Sequence, residues 1–197
     1  MQDVETRRYR LGLRILQLAE AVSETRELRA AAGPLMDHLS ARTRETVVLR
    51  IVDGDDTVWL DVRESPEQMR MTARVGRRTP LYSGASNLML TAYLPAERVE
   101  QIVQHCAPAN HPARTDFQGF LQRLAGIREA GHAVSTGEVE PGVTAVAAPV
   151  RDGSGRVVAS LSVSGPAYRI TGEQIPTLIH LVSEAAADIS RRLRAPT

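Results

Sequence analysis

From Val157 to Ser164 the chain reads V-V-A-S-L-S-V-S. Strict alternation puts Ser160, Ser162 and Ser164 on one face of a strand, and Ala159, Leu161 and Val163 on the other. A hydroxyl stripe opposite an apolar stripe is either a solvated sheet face or the polar wall of an internal pocket. Helical spacing governs the start of the chain. Leu11, Ile15, Leu18, Ala19 and Val22 form one stripe within residues 8–22, and Leu13 and Leu16 widen it to a second side. Thr25 is the expected cap of a second helix carrying Leu28, Ala32, Leu35 and Leu39, with Pro34 expected to kink or break it.

Alternation then takes over. Val47, Leu49 and Ile51 define one strand and Val58, Leu60 and Val62 the next, joined by the hairpin residues Asp53-Gly54-Asp55-Asp56. A third strand is expected near Met69–Val75. A helix is predicted over about Ser83–Tyr93, and a short one follows Pro95. Thr115 is the expected cap of a helix bearing Phe117, Phe120, Leu121, Leu124 and Ile127, with Gly131 as its left-handed stop. Three more strands are predicted, His132–Ser135, Val143–Arg151 and Arg156–Ser164, the last two joined by Asp152-Gly153-Ser154-Gly155. Thr171 and Gln174 resemble a capping box for the final helix. Hairpins, not crossovers, link the strands, so the class is α+β with a mainly antiparallel sheet flanked by helices.

Composition narrows the chemistry. A chain of 197 residues is one compact domain, or a domain plus a short arm. The net charge of +1 gives no global field toward nucleic acid or membrane. All 24 basic residues are arginine, which excludes every lysine-based catalyst. The lone Cys106 permits no internal disulfide, and the five histidines are scattered, so neither a metal nor a cofactor is expected. No apolar run approaches 18 residues and the first ten residues are polar, so no membrane span or signal peptide is expected and the location fits the cytoplasm. Catalysis finds no support: there is no G-x-S-x-G elbow, and Ser83-Gly84-Ala85-Ser86 has no identifiable base.

Four segments occur in order: Y-R-L-G-L-R-I-L at Tyr9–Leu16, V-G-R-R-T-P-L-Y at Val75–Tyr82, G-H-A-V-S-T-G-E-V-E-P-G-V at Gly131–Val143, and S-L-S-V-S-G-P at Ser160–Pro166. Together they resemble the effector-binding domain of an IclR-type transcriptional regulator. The resemblance implies a GAF-like domain over residues 25–197, preceded over residues 1–24 by the end of a wing and an interdomain linker helix. It further implies a winged helix-turn-helix domain before Met1, through which alone operator DNA would be bound, and so a chain that is a piece of a longer protein. The expected partners are a small-molecule effector, an organic or aromatic acid, and further copies of the chain. Leucines on two sides of residues 8–22 point to a homodimer, and the resemblance makes a homotetramer plausible.

The implied pocket falls on particular residues. Ser83, Gly84, Ala85 and Ser86 would offer backbone N–H groups to an acidic ligand, where free donors at a helix start favour an anion, and Asn87 bounds the pocket beside them. Ser135 stands where relatives often have an acidic residue, and Ala145 where some have cysteine. Ser162 and Ser164 match paired serines, and Met69 and Thr79 match apolar wall positions. Asn87-Leu88 replaces the family's Gly-Lys, so the ligand preference of lysine-containing relatives is not carried over. Other residues receive ordinary readings. Met71 is expected in the core, Trp59 partly exposed beside Asp61, and Arg77 and Arg78 solvated. Glu138 and Glu140 form no catalytic pair, and Cys106 beside His105 is not expected to be an activated thiol. The competing classes are a small hydrolase and a GAF-type signalling sensor.

Overall fold

In the computed structural model, which describes residues 23–194, two hairpins build the centre of one sheet. β1 (Thr46–Asp53) turns into β2 (Asp56–Arg63), and β5 (Val143–Arg151) turns into β6 (Val157–Pro166). The second turn is fixed by Asp152, whose Oδ1 accepts from the backbone N–H groups of Ser154 and Arg156. β1 pairs with β6 and so joins the hairpins. β3 (Arg78–Pro80) and β4 (Ala133–Thr136) add the edges, giving the order β3-β2-β1-β6-β5-β4 with every pairing antiparallel.

The two sheet faces have different covers. Val47, Leu49, Val146, Ala148, Val150, Ala159, Leu161 and Val163 meet α1 (Ser23–Thr43) and α6 (Ile175–Arg194), which supply Leu28, Ala32, Met36, Leu39, Leu178, Val182, Ala186 and Ile189. This is the larger core, and it is almost wholly aliphatic. On the opposite face lie α2 (Ala85–Thr91), α3 (Ala96–Cys106), α4 (Pro112–Thr115) and α5 (Phe117–Ala130). Their apolar residues close over Ala133 and Ala147. The serine stripe therefore faces inward toward helices, not outward to water. The α+β, GAF-like arrangement expected from the sequence is the one observed.

Several local expectations change. No strand forms over Met69–Val75. Met71 and Ala73 are buried while Arg70, Thr72 and Arg74 are exposed, so alternation holds over Arg70–Arg74 only; Met69 and Val75 are exposed, and the ladder beside β2 is made instead by Arg78–Pro80. Alternation reports which side chains point inward; it does not report which backbone groups find partners. Thr25 lies inside α1, and Pro34 sits within that helix without ending it. The cap of α5 is Asp116, accepting from Gly119 N–H, one residue beyond Thr115. Gly131 closes α5 at φ 69°, a left-handed position suited to glycine. Gln174 reaches back to Thr171 N–H as a capping box does. The expected helix over residues 8–22, the Tyr9–Leu16 segment and the linker helix lie outside the described residues.

Candidate functional site

Cross-strand register places the site's floor. Thr46 pairs with Ser164, Ser164 with Ala145, and Ala145 with Ser135, so one row of small polar and apolar residues runs across four strands. Two rows further along the same face, past Val48 and Ser162, Trp59 pairs with Arg50, and Arg50 with Ser160. Directly opposed residues share a face, so Arg50, Trp59, Ser135, Ala145 and Ser164 all point toward α2. Between them and the start of α2 is a cavity of about 40 Å³, room for a few water molecules. Thr79, Gly84, Ala85 and Asn87 line it from above, and Glu138, Val139, Glu140 and Val143 form the wall between β4 and β5.

A hydroxyl and amide cluster holds the start of α2. Thr57 Oγ1 donates to Asn87 Oδ1 at 2.8 Å and lies 2.8 Å from Thr79 Oγ1, while Asn87 Nδ2 donates to Ser83 O at 2.7 Å. Two backbone donors there are already taken. Glu138 Oε2 accepts from Gly84 N–H at 3.1 Å, and Ser135 Oγ accepts from Ala85 N–H at 2.9 Å. Two of the N–H groups expected to receive an acidic ligand, those of Gly84 and Ala85, are thus satisfied from within. Gly84 adopts φ 86°, and a Cβ there would fall 2.5 Å from Val139 Cγ2, so glycine lets this wall close against α2.

The charged groups divide into paired and unpaired. Glu138 also bonds Arg123 of α5, and Glu140 accepts from Arg77 at 2.6 Å. Arg50 makes no ion pair among the described residues. Its guanidinium lies 4.4 Å from the centre of the Trp59 ring, and that of Arg77 lies 4.9 Å from it. Arg50 is 7% exposed and Trp59 2%. Arg50 Nε and Trp59 Nε1 are both buried with no hydrogen-bond partner. Burial first, and Arg77 second, push the Arg50 guanidinium down to about 9.

Of the residues expected in the pocket, the structure gathers Thr79, Gly84, Ala85, Asn87, Ser135, Ala145 and Ser164 around this cavity. Four lie elsewhere. Ser162 is fully buried and donates to Val48 O at 3.3 Å; Ser86 is spent on Ser160, with oxygens 2.8 Å apart. Ser83 lines an outer groove of about 510 Å³ with Tyr82, His111 and Arg123, and only Glu138 belongs to both spaces. Met69 is 67% exposed, in the irregular segment before β3, and does not reach the cavity. Met71, expected in the core, packs with Trp59 and also touches the cavity. Trp59, expected partly exposed, is buried. A register shift between Leu49 and Arg50 aligns it with Arg50, and Asp61 beside it is occupied by Arg63. Arg50 went unread in the sequence, although its alternation with Leu49 already set it on the serine face. Cys106 is exposed, its thiol is pushed up by desolvation and then by Asp55 and Asp56, and His105 is bonded to Gln101 O. No activated thiol is built there. Among the described residues no group of three or more potential metal ligands occurs, and no helix is long and apolar enough to cross a membrane.

Residues 20–191 match the family of the bacterial transcriptional regulator IclR C-terminal domain. The chain is 32% identical over 194 residues to the HTH-type transcriptional regulator KdgR of Escherichia coli, covering 98% of this chain and 74% of that protein. It is 30% identical over 187 residues to the regulator KipR of Bacillus subtilis, covering 94% and 75%. Among solved structures, the Thermotoga maritima IclR superposes with a TM-score of 0.80 at 29% identity, over 99% of this chain and 79% of that one. An IclR homologue from Microbacterium hydrocarbonoxydans, solved with 4-hydroxybenzoate, superposes with a TM-score of 0.83 at 30% identity, over 95% and 76%.

Proposed function

The chain belongs to the IclR family of transcriptional regulators, as a C-terminal effector domain and not an enzyme, and on that premise we propose that a small organic or aromatic acid binds in the cavity between β6, β5 and the start of α2. The carrying observation is convergence. Thr79, Gly84, Ala85, Asn87, Ser135, Ala145 and Ser164 come from five separate segments and meet around one partly enclosed space. The homologue solved with 4-hydroxybenzoate supports an aromatic acid as one candidate. A ring of that size exceeds the present cavity, so binding requires the Glu138–Glu140 wall to move. That wall is held by Arg123–Glu138 and Arg77–Glu140, and both pairs are exposed enough to exchange with water.

In this reading the domain does no chemistry on its ligand. Occupancy biases the arrangement of subunits, and a linker helix in residues 1–24 passes that bias to a winged helix-turn-helix unit that contacts operator DNA in the cytoplasm. The domain over residues 25–197 acts as sensor and self-associates as a dimer or tetramer. A thermal-shift screen of small carboxylates and aromatic acids, followed by calorimetry on Ser164→Ala, tests it. An acid that raises the melting temperature and binds Ser164→Ala about tenfold more weakly is the expected result. Turnover of an ester substrate, with no acid binding, would favour the hydrolase reading instead.

A further inference from the structure

Arg50 makes no ion pair among the described residues, and the favourable field of Glu140 is outweighed by burial and by Arg77. A guanidinium buried to this degree is costly unless it is paired and hydrogen-bonded. The two carboxylates that share its cavity are committed elsewhere: Glu140 to Arg77, and Glu138 to Arg123 and Gly84 N–H. What lies against Arg50 is the Trp59 ring, whose own indole N–H has no acceptor. Buried tryptophan N–H groups normally find one. Two orphaned donors on stacked neighbours, both lining a cavity, describe a receptor for one acceptor group that brings negative charge. At the start of α2, Gly84 N–H and Ala85 N–H are already given to Glu138 and Ser135.

We infer that Arg50 and Trp59 read the effector's acid group: one carboxylate accepts from Arg50 Nε and Trp59 Nε1 on the cavity floor, and this selects acids over uncharged amides of the same shape. The inference rests on the cavity being the effector site and adds which residues set the ligand class. A bound anion would raise the guanidinium that burial and Arg77 depress.

Trp59 is the only tryptophan of the chain, so its emission reports on this floor directly. The probes are benzoate against benzamide and acetate against acetamide, titrated at constant ionic strength into the full 197-residue chain. At least one acid is expected to shift Trp59 emission and to bind about tenfold or more tightly than its amide. Arg50→Gln should remove that preference, weakening the acid about tenfold or more relative to its amide. Trp59→Phe, followed by calorimetry, should weaken the acid. A second readout needs no ligand. Arg50→Met should melt no lower than the parent chain in buffer free of carboxylates, because it removes an unpaired buried charge. The inference is overturned if acid and amide bind alike, if Arg50→Gln keeps the preference, if no acid moves Trp59, or if Arg50→Met melts several degrees lower. The pocket reading fails separately. It falls if Ala145→Leu, which fills the cavity, leaves the affinity of every bound probe unchanged.

Discussion

Two serines of one stripe have different work. Ser164 lines the cavity, whereas Ser162 is sealed beneath it with its hydroxyl on Val48 O. Ser164→Ala should therefore weaken the effector about tenfold with little change in stability, by the hydrogen-bond magnitudes for charged partners. Ser162→Ala should cost about 1 kcal/mol of stability and leave affinity unchanged, which calorimetry and denaturant melts separate. Gly84→Ala forces a side chain into a backbone region that only glycine occupies easily and drives it into Val139. A loss of about 1–3 kcal/mol is expected, with weaker effector binding, measured by urea unfolding and calorimetry. The serine face was legible from the sequence because period-2 alternation fixes faces without any tertiary knowledge. Arg50 and Trp59 were not, since alternation cannot say whether a face meets helices or water. Met69 illustrates the same limit in reverse: its expected inward position needed a strand that its backbone does not form.

At the level of elements, the β5–β6 turn carries its own pH dependence. The Ser154 hydroxyl, and then the Arg156 side chain and the turn's backbone N–H groups, hold Asp152 well down, at about 2 against an ordinary 3.8. A depressed carboxylate contributes stability above its ordinary value and loses it as the pH falls through its folded value. The parent chain should therefore lose stability between about pH 4 and pH 2 more steeply than Asp152→Asn, as read by melting temperature across that range. Leu161 tests the layer on the other side of the same strand. It is fully buried in the α1–α6 core, and Leu161→Ala should cost about 2–5 kcal/mol in denaturant melts without a specific effect on the cavity. Turn chemistry made the two hairpins readable, because Asp-Gly and Gly-Ser pairs have few alternatives between alternating strands. β3 was not readable: three residues are too few for a period, and its pairing depends on how the segment after β2 returns.

For the whole molecule, the layered order of α1 and α6, then the sheet, then α2 to α5 separates stability from sensing. One sheet face packs an aliphatic core, and the other surrounds a cavity rich in donors. Order of elements and hairpin connectivity sufficed to predict this α+β plan, but the wall over the cavity depends on contacts between residues 50 or more positions apart, such as Ser83 with Glu138. If the domain self-associates as proposed, sedimentation at micromolar concentration should show a dimer or tetramer, and a monomer would count against it. The central claim is that the effector occupies the cavity beneath α2. Calorimetry of an acid found by the thermal-shift screen, on the parent chain and on Ala145→Leu, tests it most directly. The account predicts binding by the parent chain and loss of at least about tenfold in affinity when three added carbons fill the space. Equal affinity in a folded Ala145→Leu domain would contradict it.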